Sequence, residues 1–239
     1  MKKKKRGPPV ITFKEVEEIY KEKKSLAGKN DFGFVANIFS DIHDKYIKRA
    51  KKQGKDANQS WNAWSGKNFQ KLIYYIVEDF IKDAKNDMAA VTNDDTLRRD
   101  KLSPELEKVR KNIEILYANY SIVPDADIII YDKLNFKVIA VLSCKASLRE
   151  RVAQAAYWKI KLQSGNITKN IVCYLVSSDK DDDFKDVGKD ISRNRIIVEF
   201  GELDGAYIFK EIPESKKVKH FNKIFDDLDS IFDKWFKKK

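Results

Sequence analysis

The chain has 239 residues, 42% of them hydrophobic, with 14 Phe, 10 Tyr and 4 Trp. That suffices for one large domain with a sizeable core and excludes a disordered tail protein. A formal charge of +11 attracts polyanions, either nucleic acid or an anionic membrane surface.

Residues 1–10 form a basic, proline-containing tail that opens Met1-Lys2-Lys3-Lys4-Lys5-Arg6. A secretory signal begins in the same way, but Gly7-Pro8-Pro9 follows where an apolar stretch is needed. No window approaches a membrane-spanning helix. The expectation is a cytoplasmic protein without a membrane partner, whose basic arm is able to touch a DNA backbone.

From Thr12 to about Leu26 the residues Phe13, Val16, Ile19 and Tyr20 recur at helical spacing. Thr12 followed by Glu15 resembles a capping box. A second helix is predicted over 34–52, with Ile38, Ile42, Tyr46 and Ala50 on one stripe; Gly54 and the polar run 55–60 break it. A third, over 65–84, carries a wide apolar face from Phe69 to Ile81 and is central to the core. A fourth begins after Ser103-Pro104 and runs to about Leu116.

Beyond Tyr120 the texture changes. The β-branched runs 122–131 and 137–143 read as strands joined by a hairpin at 132–135. A helix over 148–162, a buried-type strand over 171–177 and an acidic loop over 179–186 follow, the loop's acids expected to be solvated. Short strands are predicted at 196–200 and 206–209, and an amphipathic helix over 221–236. A hairpin, a helix and a returning strand give a mixed sheet with helices on both faces, an α/β fold. Residues 11–239 read as a single domain, helical over about 11–116 and α/β over about 117–239.

Cys144 and Cys173 lie in apolar runs, and no CxxC pair or Cys/His cluster is present, so neither a zinc site nor a disulfide framework is expected. His43 and His220 are far apart in the chain and read as surface residues. There is no glycine-rich phosphate loop and no Ser/His/Asp order, so no organic cofactor is expected. Trp61 and Trp64 read as core residues before they read as platforms for bases.

The hairpin carries the chemistry. Asp125 opens its first strand directly after Pro124, and Lys145 ends the second. On a tight hairpin the start of one strand lies opposite the end of the next. A carboxylate and an ammonium group therefore meet at one end of the sheet, while Cys144 points the other way, into the core. The carboxylate suits Mg²⁺, which polarises a phosphodiester and activates a water, and the lysine orients that water and offsets charge on phosphorus.

Pro124-Asp125 followed by Ser143-Cys144-Lys145 resembles the PD-(D/E)XK nucleases, which include most type II restriction endonucleases. The segment Lys145-Ala146-Ser147-Leu148-Arg149-Glu150-Arg151, then Gln154, is similar to restriction enzymes with Arg-acid-Arg just after the catalytic lysine. The resemblance covers mainly residues 124–154, with weaker support from 59–78. It implies a restriction-endonuclease-like fold and a Mg²⁺-dependent, sequence-specific endonuclease that acts on palindromic double-stranded DNA as a homodimer. It further implies Asp125 as metal ligand and catalytic acid, the Cys144 carbonyl as a second ligand and Lys145 as positioner of the water. Ser147, Arg149, Glu150, Arg151 and Gln154 would face the DNA; Arg reads guanine and a carboxylate accepts from cytosine, so C·G pairs are expected.

Ser143 departs from the pattern, because an acid stands there in most of the family. The missing acid is sought upstream. Gln70 stands where a Glu is usual and could hold a metal-bound water; Glu78, two helical turns further along the same face, is expected as the catalytic acid and metal ligand, with its neighbour Asp79 as the alternative. Asp127 and Glu150 are further alternatives. A structure-selective or repair nuclease of the same superfamily, and a DNA-binding protein with a decayed site, are the competing readings.

Overall fold

A computed structural model describes residues 9–28, 31–83 and 88–236. Most of the expected basic tail, residues 1–8, lies outside the described residues, while its last member, Val10, is buried beside Ile11.

Three helices come first: α1 (Phe13–Ala27), α2 (Val35–Lys52) and α3 (Ala57–Asp83). The capping box forms as the sequence requires, with Thr12 Oγ1 accepting from Glu15 N and Glu15 accepting from Thr12 N. Helix α3 starts eight residues before the expected 65, because the polar run at its start is a cap and not a breaker. Asp56 Oδ1 accepts from Gln59 N, and Trp61 is buried against Trp64 in a stacked pair with ring centroids 5.1 Å apart.

A six-stranded sheet follows in the order β1-β4-β5-β6-β7-β8. Its members are β1 (Ala89–Thr92), β4 (Ile128–Asp132), β5 (Val138–Lys145), β6 (Val172–Ser177), β7 (Gly205–Ile208) and β8 (Val218–His220). The pairs β1/β4 and β4/β5 are antiparallel, and the pairs from β5 to β8 are parallel. The sheet is therefore mixed, as expected. A separate two-stranded ribbon joins β2 (Ile115–Tyr117) to β3 (Tyr120–Ile122).

Helices cover both faces, because strand side chains alternate. Ile128, Ile130, Ala140, Leu142, Cys144 and Val176 join the core built with α1, α2, α3 and α8 (Ile224–Phe236). Ile129, Tyr131, Val141, Cys173, Leu175 and Ile208 join a second core. That core is closed by α4 (Asp94–Leu97), α5 (Pro104–Lys111), α6 (Arg151–Gln163) and α7 (Arg193–Phe200). Fully burying one such Ile, Leu or Phe contributes about 1.5–3 kcal/mol, which explains why a chain of this charge folds at all.

Several expected elements are corrected. Residues 193–200 form a helix and not a strand: Ser192 caps it by accepting from Arg195 N, and Arg195 and Val198 are buried on its inner side. The strand expected over 122–131 is divided. Residues 120–122 pair in the ribbon and 128–132 in the main sheet. In between, Pro124 has no N–H to give a ladder, and Arg98 instead donates to the carbonyls of Val123 and Pro124 at 3.3 Å. Helix α5 ends at Lys111, short of Leu116, and α6 begins at Arg151 instead of 148. Strand β1 has only four residues, too few to display a period in the sequence.

Candidate active site

In the β4/β5 hairpin Ile128 pairs with Leu142. Continued past the end of β4, that register sets Asp127 opposite Ser143 and Asp125 opposite Lys145. The side chains obey it. Lys145 Nζ donates to Asp127 Oδ2 at 2.9 Å and lies 3.6 Å from Asp125 Oδ2. The expected meeting of Asp125 with Lys145 is thus present, and Asp127 is the tighter partner. Asp127 Oδ2 also accepts from the Cys144 amide at 2.6 Å, which fixes the carboxylate. The Cys144 side chain is buried in the core on the opposite face, where burial raises its thiol well above the usual value.

Lys145 ends β5 beside Ser177, the last residue of β6. The site therefore sits at the carboxyl ends of the parallel strands, where open α/β sheets bind ligands. Asp127 and Lys145 line a cleft of about 390 Å³ whose walls include Gln70, Ser147, Arg149, Arg151 and Lys180, while Asp125 lines a neighbouring pocket with Pro124 and Ser143. Gln70 Nε2 donates to the Asp127 backbone carbonyl at 3.0 Å. Gln154 Nε2 donates to Asp125 Oδ2 at 3.0 Å. One residue expected at the DNA therefore orients one expected at the metal.

The segment after Lys145 forms the rim. Ser147 Oγ donates to Asp181 Oδ2 at 2.7 Å. Arg149, Glu150 and Arg151 are exposed, and their side chains have no hydrogen bond or ion pair among the described residues. Arg149 adopts φ 34°, and Glu150 occupies the cap position of α6.

Among the upstream acids, the structure separates those the sequence left open. Asp79 accepts from Tyr20 at 2.7 Å and pairs with Lys24. It thus ties α1 to α3 away from the hairpin. Glu78 pairs with Lys82 at 2.8 Å and lines a neighbouring groove with Gln70 and Asp95. Neither makes a hydrogen bond or ion pair with Asp125, Asp127 or Lys145.

The acid that sequence reasoning missed is Asp94. It is 4% exposed and pairs with Arg98 at 2.9 Å. Burial, opposed by Arg98 and reinforced by the charges of Asp127 and Asp125, pushes its carboxyl up to about 6. Its only signal in the sequence is Asn93-Asp94-Asp95, which reads as a helix start; indeed Asn93 Oδ1 caps α4 by accepting from Thr96 N.

Three carboxylates, Asp94, Asp125 and Asp127, thus face two cations, Lys145 and Arg98. Burial is the largest cause of the shifts at Asp94 and Asp127, and the neighbouring carboxylates add to it. Burial also raises Asp127, against the pull of Lys145 and the Cys144 amide. Burial lowers Lys145, but the carboxylates of Asp127 and Asp125 outweigh it and hold the ammonium above its ordinary value. A buried negative surplus at oxygen donors fits a hard divalent cation. Among the described residues no group of three or more His, Cys, Asp or Glu side chains is gathered at metal-binding spacing. The carboxylates of Asp125 and Asp127 are the oxygen donors gathered beside Lys145.

The family model described as BsaWI restriction endonuclease type 2 matches residues 105–229, a stretch holding Asp125, Asp127, Lys145 and the rim. This chain belongs to that type II restriction endonuclease family. A Methanocaldococcus jannaschii protein bearing the name of a type II restriction enzyme, MjaVIP, is 41% identical over 180 residues, 73% of this chain and 78% of the relative. A Helicobacter pylori protein named in the same way, HpyAORF263P, is 32% identical over 182 residues, 74% of this chain and 91% of the relative. Among solved structures, restriction endonuclease PspGI with substrate DNA is similar at TM-score 0.50 and 13% identity, covering 95% of this chain and 94% of that one. At that identity the likeness concerns the fold, which is the one described for this family member.

Proposed function

We propose that this protein is a sequence-specific endonuclease of double-stranded DNA, hydrolysing phosphodiester bonds with Mg²⁺. The single observation that carries the reading is the convergence of Asp125 and Asp127 on Lys145, with Asp127 and Lys145 lining a cleft rimmed by Arg149, Arg151 and Lys180. Membership of the restriction endonuclease family supports DNA as the substrate.

In this reading the rim binds first. Arg149 and Arg151 read base edges, Glu150 accepts from a cytosine amine, and Lys180 meets phosphate. Asp125, Asp127 and the Cys144 carbonyl would hold Mg²⁺, which when bound polarises the scissile phosphate and acidifies a water. Gln154 keeps the Asp125 carboxylate turned toward the site, and Asp127 keeps Lys145 extended. Lys145 holds the attacking water by hydrogen bonding and offsets the charge that develops on the phosphate oxygens. Asp94 adds negative charge behind the two ligands, and Glu78, expected as the upstream ligand, pairs with Lys82 instead.

The target is proposed to be palindromic with C·G pairs and the enzyme a homodimer, since a two-fold protein matches two-fold DNA. The test is incubation with a fully sequenced plasmid and Mg²⁺, followed by sequencing of the ends. Discrete ends, lost on Lys145→Ala, are expected. A smear or structure-selective nicking would point to the less specific nuclease, and DNA binding without any cleavage to a decayed site.

A further inference from the structure

The rim segment leaves the sheet at Lys145 and must turn before α6 begins at Arg151. Leu148 anchors the turn by full burial, and Arg151 N donates to Leu148 O at 2.5 Å. Between them Arg149 holds φ 34°, a left-handed backbone that a residue with a Cβ keeps only where its surroundings impose it. Part of what imposes it comes from another loop. Asp181 Oδ2 accepts from Ser147 Oγ at 2.7 Å and from Leu148 N at 3.3 Å.

In the acidic run Asp181 and Asp182 are exposed as expected, but Asp179 is not solvated and forms a built support. Asp179 is fully buried, and its carboxylate accepts from Asp183 N at 2.8 Å and Phe184 N at 3.0 Å. Asp182 pairs with Lys210 at 2.7 Å. The buried guanidinium of Arg195 donates to the Phe184 carbonyl. Asp181 is therefore an exposed carboxylate on a fixed loop. Next to a rim that would meet phosphates, an acid weakens affinity by repulsion, so its presence calls for another use, and its two hydrogen bonds supply one.

We propose that Asp181 is a positioning residue that sets sequence selectivity by latching Ser147 and Leu148, and so presenting Arg149 and Arg151 in one fixed orientation. This rests on the nuclease reading above. Bidentate base reading tolerates little angular error, so a loosened segment still binds phosphate but distinguishes bases less well.

The test compares Asp181→Ala with Asp181→Asn in the full chain, on duplexes carrying the parent's own cleavage site and on duplexes altered at one base pair. Asparagine keeps an oxygen able to accept both hydrogen bonds; alanine keeps none. For Asp181→Ala the ratio of kcat/KM between the correct and altered duplexes is expected to fall about tenfold or more, with the loss on the correct duplex residing mainly in KM. Asp181→Asn is expected to retain the parent ratio. Thermal melting of both variants should match the parent, as the side chain is exposed. An unchanged ratio in Asp181→Ala overturns the latch, and so does an equal fall in both variants, which would assign the effect to charge. A parent without cleavage overturns the nuclease reading and the latch with it, whereas a cutting parent with an unaltered Asp181→Ala overturns the latch alone.

Discussion

Lys145 Nζ lies 2.9 Å from Asp127 Oδ2 and 3.6 Å from Asp125 Oδ2, so one ammonium group bridges both carboxylates at the mouth of the β4/β5 hairpin. The same Asp127 Oδ2 also accepts from the Cys144 amide. The lysine is therefore positioned by its own strand and cannot swing away without leaving a buried acid unpaired.

Lys145→Ala is accordingly expected to lower the cleavage rate by roughly 10²–10⁴-fold while leaving DNA binding largely intact. It should also cost stability, about 3 kcal/mol, because Asp127 stays buried without its cation. Single-turnover cleavage and denaturant melts check the two parts separately. A variant that cuts at the parent rate would remove Lys145 from the chemistry.

Asp94 makes the metal-free protein sensitive to pH. Its folded-state value, about 6, lies above the ordinary 3.8, so between these pH values the folded form binds more protons than the unfolded one. Stability contributed by this group therefore falls as pH rises from about 4 to about 6, and stays low above that. Asp94→Asn should melt higher than the parent above pH 6, by on the order of 1–3 kcal/mol, and the gap should close below pH 4. A gap that widens toward acid would show the sign to be wrong.

Mg²⁺ should relieve the same surplus of negative charge. Added at about 100 times its dissociation constant, it is expected to stabilise the protein by about 2.7 kcal/mol, visible as a rise in Tm without DNA present. Asp125→Ala should abolish most of that rise, and EDTA should abolish cleavage. A parent Tm indifferent to Mg²⁺ would argue that the cation arrives only with DNA.

Rim residues should separate by what they touch. Arg149→Ala and Arg151→Ala are each expected to lose roughly 1–3 kcal/mol of discrimination at one base pair. Lys180→Ala should weaken binding evenly across sequences and reduce the slope of log K against log salt by about 1. Titrations on correct and altered duplexes at several salt concentrations distinguish the two patterns.

Arg195 is 1% exposed and donates to the Phe184 and Pro213 carbonyls and to Glu199. Arg195→Leu leaves the buried Phe184 carbonyl without its donor and the half-buried Glu199 without its cation, a loss of about 3 kcal/mol or more. Chemical denaturation measures it. A variant as stable as the parent would mean that water replaces the guanidinium.

Much of the site was written locally. Alternation along two β-branched runs placed Asp125 against Lys145 and turned Cys144 inward, because pairing in a tight hairpin is a short-range matter. The Thr12–Glu15 cap and the apolar stripes of the first three helices were legible for the same reason: their partners are three or four residues away. Arg149-Glu150-Arg151 could be picked out as a unit, and all three residues are exposed.

What the sequence could not reveal depends on residues distant in the chain. Asp94 and Arg98, some thirty positions before the hairpin, reach the site only because β1 pairs beside β4. Choosing Asp127 as the closest partner of Lys145 required the hydrogen bond from the Cys144 amide. The acidic run 179–183 looked solvated, since nothing within it tells that Asp179 would be buried or that Asp181 would meet Ser147. Residues 193–200 carry β-branched side chains yet form a helix, because the Ser192 cap and the burial of Arg195 outweigh a weak intrinsic preference. Local pattern thus determined the hairpin and its pair of charges; tertiary packing, through long-range burial and charge, decided which further acids surround them and which loop holds the rim.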